Sequence, residues 1–491
     1  MDRQLAQVSE THIGIVFLVG DRAYKLKKPV DLGFLDFSTR ERRLEACRRE
    51  VDLNRRLAPD VYLGIADVHD EHGNPCDHLV VMRRMPAQRR LSTLIAAGAP
   101  LGPEIRALAR LLAAFHAGAR RSAAITEQGG RDALSGRWED SFEQVERVAG
   151  DVLPAGDLDR VRRLVRAFLA GRGPLLSGRQ AHGRIVDGHG DLIAQDVFCL
   201  DDGPRVLDCL EFNDLLRWLD GLDDAAFLAM DLEHHGRPDL ASAFLDAYAE
   251  FSGDPAPPSL RHHYVAYRAF VRTKVACLRH VQGEQTAHAE ARAYTDLALA
   301  HLHAGAVRLV LVGGLPGTGK STLAGRLADR LGAVLLSSDR VRKELAGLPP
   351  ERHAAAAYRA GIYAPQHSAR CYHELVHRAG ELLALGESVV LDASWSRAAD
   401  RDAAAKIAAR THSDLVELHC VAPPDVAAKR ILARAGTGTS DADPAIAAAM
   451  AADAEPWPAA VTVPTTGSPD EAVATALAAI DAAPFALPVD L

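Results

Sequence analysis

Two short stretches of the sequence have residue types and spacings that could carry out phosphoryl transfer. One reads GGLPGTGKST and covers residues 313–322, and the other reads GHGDLIAQDVF and covers residues 188–198. A glycine-rich loop can point its backbone N–H groups at phosphate oxygens, and a carboxylate in a His-Gly-Asp turn can accept a proton from a hydroxyl group. The chain therefore contains the residues for two separate phosphate-handling sites.

The stretch at 313–322 satisfies the P-loop pattern G-x-x-x-x-G-K-[ST]. An apolar run precedes it and the amphipathic segment STLAGRLADRL follows it, which is the strand, loop and helix context that the pattern requires. Lys320 is expected to reach the β- and γ-phosphates, and Ser321 is expected to bind Mg²⁺. The predicted nucleotide site comprises Gly314, Gly317, Thr318, Gly319, Lys320, Ser321 and Thr322.

Two carboxylates follow predicted strands beyond the P-loop. Asp339 follows the run LLSS with Arg342 three residues later, and Asp392 ends the run SVVLD. Residues at such positions face the ligand crevice of a parallel sheet, so Asp339 could accept the proton of a substrate hydroxyl while Arg342 orients substrate or phosphate. Asp392 could order Mg²⁺ through water or contact the substrate. Helix capping by either aspartate, and a solvent-exposed Arg342, are the alternatives.

A basic helix end near residue 434 could form a lid. Lys429 and Arg430 precede Arg434, and the segment AGTGTSDADP at 435–444 follows it. Closure of such a segment would bring arginines, including Arg434, onto a triphosphate. A basic, solvent-exposed helix end is the alternative.

The stretch at 188–198 predicts a second catalytic loop. Asp191 could receive the hydroxyl proton, while Asp196 and the later Asp208 are spaced as metal ligands. Lys25 could contact the α- and β-phosphates with Glu50 holding it in place. Asp196 stands where an Asn would be expected; it keeps an oxygen ligand for Mg²⁺ and adds a negative charge. A pseudokinase scaffold, in which Lys25 only pairs with Glu50, is the alternative.

Residues 304–491 resemble the small-molecule P-loop kinases that include gluconate kinase, chloramphenicol phosphotransferase and the kinase domain of polynucleotide kinase. In that group the Asp of a D-x-x-R element acts as the base toward the acceptor hydroxyl, a role that the resemblance assigns to Asp339, with Arg342 as its partner. The resemblance does not define the acceptor.

The region around residues 10–290 resembles the aminoglycoside phosphotransferase and choline kinase-like family, which implies a protein-kinase fold. It departs from the protein-kinase pattern because no G-x-G-x-x-G precedes Lys25, only Gly20. As a whole, the chain resembles bacterial proteins in which such a domain is fused to a P-loop kinase.

The elements that must position these residues divide into two predicted domains. An α+β kinase-like domain is expected at 1–303, with a small lobe at about 1–86 and a helical lobe at about 87–303, and an α/β P-loop domain with a mostly parallel sheet is expected at 304–491. The predicted elements are a hairpin around Gly20-Asp21 carrying Lys25, a helix that starts at the capping box Ser38–Glu41 and carries Glu50, and strands at 307–312, 333–336, 388–391 and 415–420.

Composition limits the partners and the compartment. The 491 residues have a net charge of -8, which disfavours a general nucleic-acid binder. The seven cysteines include no C-x-x-C pair, and the first apolar run, Ile13–Val19, is too short for a secretory signal or a membrane span. We therefore expect reduced thiols, no membrane partner and a cytoplasmic location.

The sequence thus predicts an ATP- and Mg²⁺-dependent kinase acting on a hydroxyl of a small metabolite, with a sugar or amino sugar as a candidate. The alternatives are a nucleotide-binding regulatory protein with a pseudokinase domain and a polynucleotide end kinase. An acidic run after Asp208 could attract a cationic acceptor or could be surface charge and helix caps. The acceptor, the choice of ATP or GTP and the oligomeric state stay open.

Overall fold

The computed structural model describes residues 7–10, 13–31, 36–148, 150, 152–349, 352, 358–433 and 443–482. The chain divides into two compact units. The first comprises the intervals 1–157, 176–256 and 263–301, and the second comprises 158–175, 257–262 and 302–491. The domain boundary near residue 304 stays a prediction, and the packing adds two earlier segments to the second unit.

The first unit begins with a five-stranded antiparallel sheet in the order β1-β2-β3-β5-β4. Its strands are β1 (Gln7–Glu10), β2 (Gly14–Val19), β3 (Arg22–Lys27), β4 (Tyr62–His69) and β5 (Pro75–Arg83). The predicted hairpin is therefore β2 and β3, and Gly20 takes a φ of 58° in its turn, which favours glycine.

Helix α1 (Arg40–Asn54) packs against this sheet. The Thr39 hydroxyl caps its first turn by accepting a hydrogen bond from the N–H of Arg42 at 3.3 Å, one residue after the predicted capping residue Ser38. Cys47 and Val51 on the buried face of α1 lie in one apolar cluster with Val80 of β5. This packing fixes the position of Glu50 relative to β3.

Helices make up most of the chain between residues 91 and 304. They are α2 (Leu91–Ala96), α3 (Gly102–Gly118), α4 (Ala123–Glu127), α5 (Arg131–Val148), α6 (Asp157–Gly171), α7 (Gly173–Ala181), α8 (Gly221–His234), α9 (Pro238–Ser252), α10 (Pro258–Val281) and α11 (Ala287–Ala304). Two antiparallel strand pairs interrupt them: β6 (Ile185–Asp187) with β9 (Trp218–Asp220), and β7 (Val197–Leu200) with β8 (Gly203–Val206). The loops that carry Asp191 and Asp208 begin where β6 and β8 end.

A five-stranded parallel sheet forms the centre of the second unit, in the order β11-β12-β10-β13-β14. Its strands are β10 (Arg308–Gly313), β11 (Val334–Ser337), β12 (Val389–Asp392), β13 (Asp414–Val421) and β14 (Val461–Pro464). The four strands predicted from the sequence are present, and β14 was not predicted.

Helices connect and flank these strands, and a cluster of buried apolar residues lies on each face of the sheet. The helices are α12 (Lys320–Leu331), α13 (Ser338–Leu345), α14 (Pro365–Ala384), α15 (Ala398–Arg410), α16 (Pro424–Ala433), α17 (Pro444–Asp453) and α18 (Pro469–Ala482). Successive residues of β10 enter different cores: Leu309 and Leu311 belong to one buried cluster, and Val310 and Val312 belong to another. This alternation is what a strand buried on both faces requires.

The segment 158–175 is tied into the second unit by Arg172. The Arg172 side chain is buried, and its guanidinium donates hydrogen bonds to the backbone oxygen of Leu383 and, at 3.1 Å, to the Ser413 hydroxyl. Burial lowers the pKa of Arg172 to about 10. At Gly171, a Cβ atom would lie 2.1 Å from the backbone oxygen of Thr411, so the close approach at this point admits only glycine.

None of the helices in the described ranges is long and apolar enough to span a membrane. The seven cysteines all lie within those ranges and form no disulfide; Cys76 is exposed and the other six are buried.

Candidate functional site

The P-loop follows β10 and has the backbone geometry that its glycines permit. Gly314, Gly317 and Gly319 have φ values of 142°, 82° and 85°. A Cβ atom on Gly317 would lie 2.4 Å from the backbone oxygen of Ala427, and one on Gly314 would lie 2.7 Å from that of Cys420. Gly319 is the N-cap residue of α12, so the N–H groups of the first turn are available to a phosphate.

Side-chain hydrogen bonds from within the loop and from a neighbouring segment hold the loop backbone in place. The Thr318 hydroxyl donates to the backbone oxygen of Leu315 at 2.7 Å, and the Thr465 hydroxyl donates to the backbone oxygen of Thr318 at 2.6 Å. Arg430 donates to the backbone oxygen of Thr465 at 2.7 Å, which places a guanidinium beside the P-loop. Arg434, the predicted lid residue, lies outside the described residues.

One cavity in the second unit brings the predicted catalytic residues together. Its volume is about 220 Å³, and Lys320, Asp339 and Arg342 all line it. Seven further lining residues carry hydroxyl groups: Ser338, Ser368, Ser394, Ser396, Tyr358, Tyr363 and Tyr372. Ser321 and Asp392 do not line the cavity; Ser321 is exposed at the start of α12, and Asp392 is buried at the end of β12.

In the structure, Asp339 does not cap a helix and Arg342 is not exposed to solvent, which were the alternatives to their predicted roles. Ser337 occupies the N-cap position of α13 but makes no side-chain capping hydrogen bond, and within the described part of the chain the Asp339 carboxylate makes no hydrogen bond or ion pair. Arg342 is buried, not solvent-exposed, and donates to the Ser368 hydroxyl at 2.9 Å. Its guanidinium also lies 5.0 Å from the centre of the Tyr363 ring. The arginine is therefore fixed, and the carboxylate is available.

In the first unit, the three predicted residues Lys25, Glu50 and Asp208 meet in one ion-pair cluster. Lys25 Nζ lies 2.9 Å from Glu50 Oε1 and 2.5 Å from Asp208 Oδ1. Burial acts to lower the pKa of Lys25, but the Asp208 and Glu50 carboxylates outweigh it and hold that pKa well above its usual value. Lys25 is therefore a permanent cation at neutral pH.

Lys27 and Glu211 complete this cluster and were missed as site residues by sequence reasoning. Lys27 Nζ lies 2.7 Å from Glu50 Oε2 and also pairs with Glu211. The side chain of Lys27 is 1% exposed, so both of its ion pairs are buried. The signal was present in the sequence, because residues two apart in a strand point to the same face, and Lys27 follows Lys25 by two positions in β3.

The turn before Asp191 is held by Asp224 of α8. The N–H groups of His189 and Gly190 donate to the Asp224 carboxylate at 2.7 Å and 2.9 Å, and His116 contacts the same carboxylate at 2.9 Å. Burial alone would raise the pKa of Asp224, but the hydrogen bond with His116 and the neighbouring histidine charges hold that pKa below its usual value. Asp224 is an anchor of the His-Gly-Asp loop that the sequence did not reveal.

Three aspartates around this loop interact electrostatically. Burial raises the pKa of Asp191, opposed by the charge of Arg272. Burial, together with the like charges of Asp208 and Asp191, raises the pKa of Asp196 well above its usual value. A bound dication would relieve this repulsion, so the predicted ligands Asp196 and Asp208 fit Mg²⁺ in charge and ligand type.

No group of three or more His, Cys, Asp or Glu side chains within the described ranges is arranged to hold a metal ion by itself.

The acidic run after Asp208 is mainly internal, so the interpretation of it as a wall attracting a cationic acceptor is wrong. Its members make contacts within the first unit: Glu211 with Lys27, Asp214 with Arg49 and Arg217, Asp220 with Arg179, Asp223 with Arg268, Asp224 with His116, Asp231 with the N–H of Ala194, and Glu233 with His301. These carboxylates neutralise neighbouring cations and accept hydrogen bonds from backbone N–H groups within the first unit.

Comparison with known proteins identifies relatives over nearly the whole chain. Uncharacterized protein Rv2004c of Mycobacterium tuberculosis is 45% identical over 475 residues, which is 97% of this chain and 95% of that protein. Uncharacterized protein Mb2027c of Mycobacterium bovis matches to the same extent. The chain belongs to the family of these mycobacterial proteins. In addition, the model of the family described as AAA domain matches residues 309–457, which include the P-loop and Asp339.

The solved structures that match this chain divide between its two parts. A gluconokinase from Sinorhizobium meliloti covers 36% of this chain and 91% of its own, at 19% identity and a TM-score of 0.27. A choline/ethanolamine kinase family protein from Mesorhizobium loti covers 61% of this chain and 92% of its own, at 16% identity and a TM-score of 0.38.

The predicted fold class is confirmed. The N-terminal part has an antiparallel sheet with a helix packed on it, followed by a helical region that carries the His-Gly-Asp loop. The C-terminal part is a P-loop domain with a five-stranded parallel sheet.

Proposed function

We propose that the protein is an ATP- and Mg²⁺-dependent phosphotransferase, and that its C-terminal site transfers a phosphoryl group to a hydroxyl of a small metabolite. The observation that carries this proposal is that Lys320 and Asp339 line the same cavity. A phosphate-binding lysine and a carboxylate without a partner among the described residues are the two groups that transfer to an alcohol requires.

Each residue has a role that follows from its position. The P-loop N–H groups and Lys320 would bind the β- and γ-phosphates, and Ser321 at the start of α12 would hold Mg²⁺. When bound, Mg²⁺ neutralises charge on the transferred phosphoryl group. Asp339 would accept the proton of the attacking hydroxyl, and the fixed guanidinium of Arg342 would orient the acceptor.

The lining of the cavity supports a polyhydroxylated acceptor such as a sugar or amino sugar. Both hydroxyl side chains and carboxylates, including Asp400 and Asp453, line the cavity, and these groups can donate to and accept from sugar hydroxyls. The volume of about 220 Å³ favours a molecule of monosaccharide size over a polymer.

For the N-terminal site we propose a second nucleotide site, in which Lys25 and Glu50 serve the phosphates, Asp191 serves as the base, and Asp196 and Asp208 serve the metal. The 2.5 Å contact between Lys25 and Asp208 favours a second candidate for this unit, a regulatory site that binds nucleotide without turnover. In that contact the phosphate-binding cation and a metal ligand neutralise each other, so entry of nucleotide must separate them.

The test is to incubate the full chain with ATP, Mg²⁺ and a metabolite extract and to detect by mass spectrometry a species that gains one phosphate. Asp339→Asn should lower the rate of C-terminal transfer by about 10²-fold or more while ATP binding persists, because it removes only the proton acceptor. Asp329→Asn, an exposed aspartate on α12, is the matched control and should leave the rate unchanged.

The two sites are separated by combining variants. Turnover that survives Lys320→Ala but disappears on adding Asp191→Asn belongs to the N-terminal site. A rate unchanged in Asp339→Asn would contradict the proposed C-terminal mechanism, and nucleotide binding without turnover in Lys320→Ala would support the regulatory candidate for the first unit.

A further inference from the structure

A second large cavity lies in the first unit, outside the proposed nucleotide sites. Its volume is about 630 Å³, and its lining includes four arginines, which are Arg49, Arg56, Arg120 and Arg217. Lys25, Asp191, Asp196 and Asp208 do not line it. The cavity is therefore distinct from the residues to which phosphoryl transfer has been assigned.

The charge around this cavity is unbalanced toward positive. Its carboxylates are Asp52, Asp187 and Asp214, which is one fewer than its arginines. Asp187 alone is shared by three guanidinium groups, at 2.9 Å from Arg217, 3.4 Å from Arg120 and 3.6 Å from Arg56. In a chain with a net charge of -8, this local excess of cations favours an anionic occupant.

The arginines divide into those that are fixed and those that are accessible. Arg217 is buried, and Arg56 donates to the backbone oxygens of Asp187 and Gly188 at 3.0 Å and 2.8 Å. Arg120 has a side chain that is 64% exposed, and Arg49 is also partly exposed. Arg49 and Arg120 could bind a phosphate group while Arg56 and Arg217 keep their own contacts.

The cavity also has an apolar part. The Phe115 ring lies 5.0 Å from the Arg56 guanidinium, and Leu53, Ala114 and Ala119 complete this side. An apolar wall next to clustered guanidinium groups suits a small molecule with a phosphate at one end. We propose that this cavity, named here the arginine cavity, binds a small phosphorylated molecule at a site separate from both nucleotide sites.

The arginine cavity is connected to the catalytic loop through the backbone. Arg56 holds the oxygen of Gly188, the residue before the His-Gly-Asp turn, and Arg49 and Arg217 donate to the backbone oxygens of Glu211 and Leu210. An anion bound to these arginines would restrain both segments. Occupancy should therefore slow hydrogen exchange at residues 185–192 and 209–217.

The test is hydrogen exchange measured by mass spectrometry on the full chain, with and without inorganic pyrophosphate as the probe. Wild type should gain protection at 185–192 and 209–217, and at 313–322 because the P-loop also binds phosphates. Arg120→Gln should lose the protection at 185–192 and 209–217 and keep that at 313–322, because pyrophosphate should bind the cavity about tenfold more weakly. Arg131→Gln is the matched control, since Arg131 is exposed and pairs with an aspartate but does not line the cavity.

Arg49→Gln provides a second variant with the same expected loss, in case Arg120→Gln is poorly folded. Two results would overturn the proposal. One is the absence of pyrophosphate protection at 185–192 and 209–217 in wild type, whatever happens at 313–322. The other is protection in Arg120→Gln and Arg49→Gln equal to that of wild type, which would place the probe at Lys25 instead.

Discussion

Replacement of Lys27 by methionine should destabilise the first unit far more than replacement of its sequence neighbour Lys28. Lys27 is 1% exposed and pairs with two buried carboxylates, Glu50 and Glu211. Methionine has a similar length but no charge, so Glu211 would lose its cation while still buried. Removing one partner of a buried ion pair typically costs about 3–5 kcal/mol.

The loss of stability in Lys27→Met is limited by the ion pair that the variant keeps. Glu50 keeps Lys25 at 2.9 Å, so the uncompensated charge falls mainly on Glu211. Burial acts to lower the pKa of Lys27, but Glu50 and Glu211 outweigh it and raise that pKa above its usual value. The stabilisation that Lys27 provides is thus complete at pH values below its unfolded-state pKa. It is lost only as the pH rises through the higher pKa of the folded state. A measurement at pH 7 captures all of it.

The assay is native-state hydrogen exchange on peptides from β3 and α1, because a chain with two units need not unfold in one step. Lys28→Met is the control: Lys28 pairs with the exposed Glu10, and a surface pair is worth about 0–1 kcal/mol. The double variant Lys27→Met with Glu211→Gln should recover at least about half of the loss, since it removes the buried charge. A loss below about 1 kcal/mol in Lys27→Met, or no recovery in the double variant, would refute this account of the cluster.

Three further predictions concern the two sites. Gly317→Ala should abolish ATP binding at the P-loop in calorimetry, because the Cβ atom would lie 2.4 Å from a backbone oxygen, whereas Gly325→Ala, with open space around it, should not. Asp196→Asn should raise the unfolding temperature at pH 8 but not at pH 3. The reason is that a carboxyl group with a raised pKa destabilises the folded state once the pH exceeds its unfolded-state pKa. Equal shifts of the unfolding temperature at both pH values would contradict this. The pKa of Asp224 is lowered in the folded protein, so its carboxylate stabilises the fold at pH values above the unfolded-state pKa. Asp224→Asn should therefore be less stable than wild type at pH 7 and should lose less stability on acidification below about pH 4, as measured by acid titration of unfolding.

The sequence predicted the parts of the fold that depend on local pattern. The P-loop pattern, its flanking strand and helix, and the hairpin carrying Lys25 all depend on residues close together in the chain. The ion pair between Lys25 and Glu50 could also be predicted, because it follows from the element types and the chemistry.

What the sequence could not reveal depends on contacts between distant segments. Asp224 supports the turn at His189 from 35 positions away, and no local pattern marks it as an anchor. The interpretation of the acidic run as a wall for a cationic acceptor failed for the same reason, since most of its cationic partners, such as Arg179 and Arg268, lie far from it in the sequence. Strand β14 was missed because VTVP is short and ends in proline, and only pairing with β13 makes it a strand.

The interleaved composition of the second unit affects how this protein is synthesised. Residues 158–175 leave the ribosome long before Leu383 and Ser413, to which Arg172 is hydrogen-bonded in the finished protein. Until those partners are made, the Arg172 guanidinium lacks the backbone oxygen and the hydroxyl to which it donates. Translation must therefore pass the whole His-Gly-Asp region before the second unit can close, and a fragment that starts at residue 304 would lack the guanidinium that joins α14 to the loop before β13.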